Sequence, residues 1–503
     1  MDITSVSYLI FVGISLLIYW SLPAKYQWIV LLADSLIFYF VNAVPYTFIY
    51  LLISVITVYS ATVFFSKNAE AERAKRTVLI LTLLVNVGLL VVLKYTNLFI
   101  STVNFVGKRS IPTVTWLASL GMSFYTLQIV AYLLNCYWGV TEREGNILKL
   151  LLFTSYFPLM ISGPISDHKI LGHQLYEEHR FDYERVVSGL RRTAWGIAKK
   201  VVVADRLMIP VNYMFDDPAT YSGIWVVIAA VGFVVVLYFD FSGCMDIIIG
   251  VSKCFGIILE ENFKAPFLSK TTQEFWQRWH ITLGRWLKSF IMYPILKTKA
   301  FVSLGSKCKK KFGKQGRKIP TYIAMLAVWF CMGLWHGSSW KYIIGEGLWF
   351  WILIVTGQVL EPAFDTVKKR LGIKEDNIIW RSFQVCRTVL LYSFGMVFFH
   401  AASLKASLYM LSGIIRPAGI VTPLKQLYAA TRGMLGGTGV IAVIVVIGVM
   451  QIICDVFTYN DKSAQDVVVK LPAAVRWLSY YALIFAIIFC GNFGKSSFIY
   501  FGF

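Results

Sequence analysis

The sequence predicts an all-α, polytopic integral membrane protein with roughly eleven transmembrane helices and additional re-entrant and interfacial helices. Of its 503 residues, 57% are hydrophobic and 15% are charged, whereas soluble domains carry about 25% charged residues. Many windows contain the ~20 apolar residues that a helix needs to cross a bilayer. Backbone groups inside the bilayer must pair with one another, and the ~10-residue alternating segments of a β-barrel are absent, so the spans are predicted to be helices.

Twelve apolar segments are the candidates for these helices. The first lacks the basic n-region and the small-residue cleavage site of a signal peptide, so we expect a retained span. At least one segment is expected to be re-entrant or a half-span, because strict alternation would place the basic stretches 66–76 and 167–200 on opposite sides of the membrane. The segments are 5–22, 27–43, 45–65, 77–93, 114–138, 147–166, 222–250, 319–340, 342–358, 384–403, 433–452 and 473–490.

The formal charge of +21 comes largely from short basic stretches between the predicted spans. The stretch 297–318, predicted to be a loop, contains nine Lys and Arg residues and no acid. This is the positive-inside pattern, which predicts that 66–76, 167–200 and 297–318 face the cytoplasm. The pattern accounts for the positive charge, so membrane lipid and not nucleic acid is the expected surroundings.

Two further patterns exclude functions. The eight cysteines form no CxxC pair and no Cys/His cluster with zinc spacing, so no metal site is predicted. The glycines and prolines do not recur at matched positions of two halves, which argues against an inverted-repeat transporter.

The stretch 271–294, TTQEFWQRWHITLGRWLKSFIMYP, is predicted to be one amphipathic helix at the membrane interface. Thr271 or Thr272 can cap its start, and Glu274 and Arg278 have the i, i+4 spacing of an ion pair. His280 falls on the apolar face, where it is either a packed interfacial residue with one hydrogen bond or a functional group. At about 100° per residue, that face consists of Trp276, Trp279, His280, Leu283, Leu287 and Phe290.

A second histidine, His336, lies in the apolar stretch FCMGLWHGSSW (330–340). Gly333 and Gly337 are four residues apart and present a small face that lets another helix approach closely. An ionisable residue at membrane depth is a functional candidate by default, and the alternative is a structural histidine bonded to a neighbouring helix. Neutral imidazole can take a proton from a hydroxyl near pH 7. Two such histidines joined by a basic stretch suit group transfer at a membrane.

Seven stretches in collinear order, covering most of the chain, resemble the membrane-bound O-acyltransferase (MBOAT) family, specifically its bacterial, alginate O-acetyltransferase-like branch. Two of them are the histidine motifs EFWQRWHITLGRWLKSFIMYPI and GLWHGSSW. The others are LGMSFYTLQIVAYLLNCYWG (120–139), FPLMISGPI (157–165), GLRRTAWGIAKKVVVADRL (189–207), YFDFSGCMDIIIG (238–250) and FIYFGF (498–503).

The resemblance implies a central tunnel and a division into N-terminal transmembrane helices (1–110), a catalytic core with both histidine motifs (111–415) and C-terminal transmembrane helices (416–503). It makes His336 the catalytic histidine and His280 the second histidine of the tunnel. The further tunnel candidates are Trp276, Trp279, Trp335, Tyr238, Asp240, Ser242, Asp246 and Ser338.

Two readings stay open within this resemblance. Asp240 and Asp246 have an alternative role, in which they pair with basic residues at a helix end. His400 stands where related sequences more usually carry Arg, which favours an ordinary interfacial histidine at this position over a third catalytic one.

The activity implied is acetyl transfer in a bacterial plasma membrane, from a cytosolic thioester donor across the membrane towards hydroxyls of an extracellular polysaccharide. The donor is acetyl-CoA or an acyl carrier protein used as a co-substrate, and no bound cofactor is expected. His336 would act as general base or carry the acyl group, while His280 would orient the donor or stabilise the oxyanion. An extracytoplasmic acyltransferase partner protein is expected to pass the acyl group to the polymer.

Two alternatives remain at this stage. The first is D-alanyl transfer toward teichoic acid, for which the basic stretch 297–318 would suit an acidic cytosolic carrier protein. The second, of another class, is a lipid-linked sugar flippase or transporter. It would prefer paired ionisable residues along a path and two related halves, and neither is seen in the sequence.

Overall fold

The computed structural model describes residues 1–462, 464–493 and 498–499, so the C-terminal motif FIYFGF lies outside the described residues from position 500 onward. Within these ranges the secondary structure is helical. An isolated antiparallel bridge between Phe263 and Trp279 is the one β-type pairing of the described residues. The prediction of an all-α protein is confirmed.

The chain divides into two compact units. The first contains residues 1–197 and 243–260 and the described residues after 492, and the second contains residues 198–242 and 261–492. These boundaries cut across the division into 1–110, 111–415 and 416–503, which stays a prediction about function.

Among the described residues, the first unit is built from nine α-helices and the end of a tenth. Side-chain caps set several starts: the hydroxyl of Ser5 accepts from the backbone N–H of Tyr8, and Asn146 accepts from that of Leu148. The nine helices are α1 (Val6–Ser21), α2 (Gln27–Asn42), α3 (Phe48–Lys67), α4 (Glu72–Gly107), α5 (Met122–Tyr137), α6 (Ile147–Ser155), α7 (Phe157–Met160), α8 (His168–Tyr176) and α9 (Tyr183–Ala198).

In the described part of the second unit lie the remaining α-helices and three π-helical turns, at Lys199–Ala204, Lys288–Met292 and Ile343–Leu348. Its helix α11 (Ile224–Cys254) passes from this unit into the first at residue 243. The helices are α10 (Asp205–Asp216), α11 (Ile224–Cys254), α12 (Thr272–Arg278), α13 (Ile281–Leu287), α14 (Tyr293–Lys297), α15 (Lys299–Gly316), α16 (Ile319–His336), α17 (Trp340–Tyr342), α18 (Trp349–Arg370), α19 (Ile378–His400), α20 (Leu404–Ser412), α21 (Val421–Leu435), α22 (Gly437–Tyr459), α23 (Ala464–Val469) and α24 (Ala473–Cys490).

Nine segments of the described chain are long and apolar enough to cross a membrane. A multi-pass membrane protein is therefore confirmed. The segments are Ala24–Asn42, Pro45–Lys67, Glu72–Gly107, Ile224–Cys254, Ile319–His336, Trp340–Arg370, Ile378–His400, Gly437–Tyr459 and Ala473–Cys490.

The other three predicted spans are shorter or interrupted. The first forms a helix of 16 residues, and 114–138 is helical only over the 16 residues of α5. The segment 147–166 breaks at Tyr156, ahead of Pro158, and leaves helical structure after Met160. Its residues are largely buried, as is required of non-helical backbone at membrane depth. This broken segment is the best match to the expected re-entrant or half-span.

The basic stretch 297–318 is mostly helical, which corrects its prediction as a loop. Thr298 caps α15 through the backbone N–H of Phe301, and Gly313, at φ 63°, introduces a kink near the end of the helix. Apolar residues such as Leu304 and Cys308 share one side of α15, and most of its lysines lie exposed on the other.

Candidate active site

His336 is the last residue of α16, where it is buried at 2% exposure. The helix ends there because Gly337 takes an extended backbone conformation. One turn earlier, Gly333 lies against the backbone of the following segment: a Cβ at this position would come within 2.7 Å of Ile343 Cα. The absence of a side chain at Gly333 therefore permits the close approach that the sequence predicted for this small face.

The close approach brings a carboxylate to the histidine. Glu346 lies in the π-helical turn Ile343–Leu348, is 1% exposed, and forms an ion-pair contact through Oε2 with Nδ1 of His336. The glycines on either side of Glu346 allow the turn to pack tightly, since a Cβ on Gly345 would clash with Phe398 and one on Gly347 would meet the Trp329 carbonyl at 2.8 Å. π-Helical turns recur at functional sites because they redirect side chains.

This contact determines the tautomer of His336. A carboxylate oxygen accepts hydrogen bonds, so Nδ1 carries the proton and the lone pair is on Nε2. Carboxylate partners of this kind fix the orientation and the tautomer of an imidazole. His336 is therefore arranged to accept a proton at Nε2.

The second histidine occupies a break between two helices, which corrects the prediction of a single helix over 271–294. α12 ends at Arg278, α13 begins at Ile281, and His280 between them has a left-handed backbone with φ 48°. Such a conformation is uncommon and strained for a residue other than glycine, and strained backbone of this kind clusters at functional sites. The predicted cap at Thr271 and the Glu274–Arg278 ion pair, at 3.0 Å, are both present.

Asn262 holds this break together. Its backbone carbonyl accepts from the N–H of Ile281 at 3.1 Å, and its side-chain Oδ1 accepts from the N–H and the hydroxyl of Thr282 at 3.1 and 3.0 Å. The same Oδ1 lies 3.3 Å from Nδ1 of His280. Because this oxygen can only accept, Nδ1 of His280 carries the proton and its lone pair is on Nε2. Asn262, which is fully buried, is a site residue that the sequence reasoning missed.

The two imidazoles are brought together around one indole. The ring of Trp335 lies 5.5 Å from that of His280 and 5.2 Å from that of His336. Phe241 packs edge-on against His280, and Phe399 stands 6.0 Å from His336. Burial lowers the pKa of His280, and the neighbouring His336 lowers it further. His280 is therefore neutral at physiological pH.

The aromatic candidates form a single cluster beside the histidines. Trp279 is 1% exposed and packs against Phe263, Phe275 and Tyr392. Trp276 makes edge contacts with Trp329 and Phe350. Tyr238 also lies beside Trp279, and its hydroxyl donates to Asp455 at 2.7 Å. These contacts place the aromatic candidates near His280 in the second unit.

The polar candidates have other partners. Asp240 accepts from Lys200 at 2.6 Å, and Ser242 accepts from Lys199 at 2.9 Å. Asp246 belongs to the first unit, where it pairs with Arg192 at 2.9 Å. The geometry therefore agrees with the alternative in which both aspartates pair with basic residues. Ser338 is exposed.

His400 occupies a site of its own. Its ring stacks on Phe233 at 4.4 Å, and its Nε2 lies 2.9 Å from Oδ1 of Asn212. Nearby, the buried Lys341 donates to the carbonyls of Phe399 and Ala401 at 3.0 and 2.6 Å, a favourable position for a cation at the C-terminal end of α19. Lys341 thereby anchors the backbone of Phe399, which packs against His336.

Comparison with known proteins identifies the family. The family model described as MBOAT, membrane-bound O-acyltransferase family, matches residues 142–307. The peptidoglycan O-acetyltransferase of Helicobacter pylori is 30% identical over 70% of this chain and 67% of its own length. The chain belongs to the membrane-bound O-acyltransferase family.

Two further proteins have a comparable level of sequence identity to this chain. The probable alginate O-acetylase of Pseudomonas aeruginosa is 28% identical over 79% of this chain and 71% of its own length. The teichoic acid D-alanyltransferase of Bacillus subtilis is 27% identical over 48% of this chain and 60% of its own length. This protein is thus an O-acyltransferase of the membrane, which favours the acyltransferase prediction over the flippase or transporter alternative.

Within the part of the chain that the structure describes, no three His, Cys, Asp or Glu side chains lie close enough together to hold a metal ion. The chemistry available is that of two imidazoles inside an aromatic enclosure, each with a hydrogen-bond acceptor beside its Nδ1.

Proposed function

We propose that this MBOAT protein transfers an acetyl group from a cytosolic thioester across the membrane towards hydroxyls of an extracellular polysaccharide, and that an extracytoplasmic partner protein passes the group to the polymer. The observation that carries the proposal is the contact between His336 Nδ1 and Glu346, which leaves Nε2 of His336 as the base. The names of the O-acetyltransferase relatives, acting on peptidoglycan and alginate, support acetyl as the acyl group and a polysaccharide as the final acceptor.

The proposed step is direct acyl transfer. Nε2 of His336 takes the proton of the acceptor hydroxyl while the oxygen of that hydroxyl attacks the thioester carbonyl. The carbon–sulfur bond of the resulting tetrahedral species then breaks, and the protonated His336 returns the proton to the leaving thiolate. General base catalysis of this kind contributes about 10²–10⁴-fold to a rate, and the surrounding aromatic side chains exclude competing water.

His280 has an orienting role in this proposal. An oxyanion is stabilised by hydrogen-bond donors, and the Nδ1 proton of His280 is already directed to Asn262 while its Nε2 carries a lone pair. A neutral His280 is therefore better suited to accept a hydrogen bond from a substrate N–H or O–H. Of the two roles predicted for it, orientation of the donor fits the geometry better than stabilisation of an oxyanion.

D-alanyl transfer to teichoic acid is the second candidate. The exposed lysines of α15 would suit an acidic carrier protein, and two relatives are named teichoic acid D-alanyltransferases. Transfer of either acyl group uses the same chemistry at His336, so the released acid distinguishes the two.

The test is the effect of His336→Ala on polymer esters. Cells that express the wild-type protein should yield envelope polymers that release acetate on mild alkaline treatment, and His336→Ala should abolish this release while the protein remains at normal abundance on a blot. His336→Gln should fail as well, because an amide does not accept a proton at neutral pH. His173→Ala, which alters an exposed histidine of α8, should behave as wild type.

Each other outcome has a defined meaning. Release of D-alanine in place of acetate would establish the second candidate. Normal esterification by a well-expressed His336→Ala protein would exclude His336 as the base. A structural histidine would show the opposite pattern, with reduced abundance for Ala and partial recovery for Gln.

A further inference from the structure

The last two turns of α22 carry polar side chains on a helix that is largely apolar. Gln451, Asp455 and Tyr459 are spaced four residues apart, so they lie on one side of the helix. The segment Gly437–Tyr459 is long and apolar enough to cross a membrane, and an ionisable residue in such a segment is a functional candidate by default. The acyl-transfer step described above does not use Asp455.

Asp455 is hydrogen-bonded to Tyr238 of α11. Its Oδ1 accepts from the hydroxyl of Tyr238 at 2.7 Å and from Nε2 of Gln451 at 2.9 Å. All three side chains are buried. A polar group is buried favourably only when its hydrogen bonds are made, so α22 and α11 are joined here at a fixed point.

The ring of Tyr238 carries this contact to the residue before His280. It packs edge-on against Phe263 at 5.8 Å and lies 6.1 Å from the ring of Trp279. The backbones of Phe263 and Trp279 are themselves paired in the isolated bridge. The peptide that leads from Trp279 into His280 therefore packs against a ring whose hydroxyl is held by Asp455.

Two outer contacts fasten the end of α22 to the same segment. The guanidinium of Arg278 lies over the ring of Tyr459 at 4.4 Å, and Lys264 pairs with Asp461 at 2.7 Å. The Lys264–Asp461 pair is largely exposed, and exposed ion pairs stabilise a fold little. The buried hydrogen bond to Asp455 is therefore the contact that we expect to determine where the segment lies.

We propose that Asp455 is a positioning residue for His280. Its hydrogen bond fixes the ring of Tyr238, the ring supports Trp279, and the following peptide holds His280 in its left-handed conformation. Asn262 secures the other side of the same break through Ile281. The proposal rests on the proposed acyl transfer, in which His280 has an orienting role, and it gives the C-terminal helix α22 a part in that role.

The kinetic test asks whether Asp455 acts through His280. Asp455→Ala should lower kcat about 10-fold or more, because a small misplacement of an orienting group has a large effect on rate. Asp455→Asn keeps an oxygen that accepts from Tyr238 and should retain most of the wild-type kcat. In a His280→Ala protein, adding Asp455→Ala should change the residual kcat by less than about 2-fold, since the group that Asp455 positions is absent.

The matched control alters the exposed contact of α22 with the same segment. Asp461→Asn removes the charge that pairs with Lys264, and Asn tolerates the left-handed backbone of this position, at φ 56°. It should leave kcat unchanged. A wild-type kcat in Asp455→Ala would overturn the proposal. An equal fold loss in the wild-type and His280→Ala backgrounds would also overturn it, since Asp455 would then support the fold in general.

Hydrogen exchange reports on the break without any turnover. The backbone N–H groups of Ile281 and Thr282 donate to Asn262, so the peptide that contains them should be protected in wild type. In Asp455→Ala this peptide should exchange at least about 10-fold faster, while peptides elsewhere in the second unit keep their wild-type rates. An unchanged rate at this peptide, or faster exchange throughout the second unit, would show that Asp455 does not position the break.

The two measurements separate this proposal from the proposed function. If wild type turns over no thioester and the exchange of this peptide alone is faster in Asp455→Ala, the proposed function fails and the link from Asp455 to the break stands. If wild type turns over thioesters and the exchange is unchanged, the positioning role is wrong. Should Asp455→Ala fail to purify, Tyr238→Phe, which keeps the ring and removes the hydroxyl, answers the same question with the same expected results.

Discussion

At the scale of single residues, the site depends on two hydrogen-bond acceptors that set the tautomers of two histidines. Glu346 contacts Nδ1 of His336, and Asn262 lies within hydrogen-bond distance of Nδ1 of His280. In both cases the lone pair falls on Nε2. These two acceptors differ in charge, however, and only the carboxylate can stabilise a protonated imidazole electrostatically. This difference supports His336 as the base and His280 as an orienting group.

The charge of Glu346 should therefore matter beyond its ability to accept a hydrogen bond. Glu346→Gln keeps an acceptor of the same size and removes the charge, so we expect kcat to fall about 10–100-fold with little change in KM. Glu346→Leu should lose more activity. Glu361→Gln, which alters an exposed acid of α18, serves as the control. Steady-state kinetics of the purified proteins measures both constants, and wild-type kcat in Glu346→Gln would rule out an electrostatic role.

His280 should make folding pH-dependent. Its folded pKa is lowered by burial and then by His336, while the unfolded value is about 6.5. The unfolded chain thus binds more protons in mild acid, so the stability supplied by neutral His280 is complete above about pH 6.5 and is lost as the pH falls below it. Thermal unfolding should show a lower Tm at about pH 5 than at pH 7.

The replacement for this test is His280→Asn. Asn adopts a left-handed backbone more readily than most residues and does not titrate. The Tm of the His280→Asn protein should therefore depend less on pH than the Tm of wild type. His173→Ala should retain the wild-type dependence. Activity adds a second readout. The His280→Asn and His280→Gln proteins should each keep more activity than His280→Ala, because they retain a hydrogen-bonding group. Equal loss in all three would indicate that His280 itself exchanges protons, and an unchanged pH dependence of Tm in His280→Asn would exclude it as the titrating group.

At the scale of secondary structure, departures from regular helix position the chemistry. The π-helical turn Ile343–Leu348 brings Glu346 to His336, and the break at Trp279 and His280 directs one imidazole toward Trp335. A regular helix over either stretch would present a different set of side chains, since each interruption rotates the residues that follow it. Close packing at Gly345 and Gly347 allows the π-helical turn to bring Glu346 to His336.

Gly345 provides a test of that packing. A Cβ at this position would clash with Phe398, so Gly345→Ala should displace the turn, cost about 1–3 kcal/mol of stability and reduce kcat by moving Glu346. Gly357→Ala is the matched control, because it lies on α18 with nothing within 4 Å of the added Cβ. Turnover and thermal unfolding of both variants should be compared with wild type. If Gly345→Ala has wild-type kcat, the position of Glu346 does not depend on this contact.

At the scale of the whole molecule, charge and hydropathy determine how the chain lies in the membrane. Nine segments of the described chain can cross a bilayer, and the basic stretches between them should face the cytoplasm. α15 has the largest concentration of lysine, and its exposed side is positively charged. The predicted orientation therefore places α15 on the cytoplasmic side of the membrane, which is the side on which the thioester donor is expected.

Cysteine labelling tests this orientation. Cysteines introduced at Lys309 and Arg185 should react with an impermeant maleimide only after the cells are permeabilised. A cysteine at Thr113, an exposed position one predicted crossing away from the stretch 66–76, should react in intact cells. The parent protein, labelled in parallel, accounts for the native cysteines. Reaction of Lys309→Cys or Arg185→Cys from outside intact cells would invert the assignment of that stretch.

The amino-acid sequence by itself determined the class of this protein, most of its spans and the two histidines. These features depend on composition and on local periodicity, which act over one helix length. The capped start at Thr271, the Glu274–Arg278 pair and the small face at Gly333 are equally local, and each appears in the structure as predicted. An acid within the apolar segment 342–358 was also visible and, by the rule for ionisable residues at membrane depth, could have identified Glu346 as a candidate.

Only the tertiary structure decided which side chains meet. Asn262 reaches His280 from 18 residues away, and its two hydrogen bonds to Thr282 stabilise a strained backbone that periodicity alone would continue as a helix. Asp240 and Asp246 share one helix and one motif, yet their partners are Lys200 and Arg192 in different compact units. Long-range packing outweighed local preference at these positions, because burying a polar group is favourable only where the fold supplies its partner.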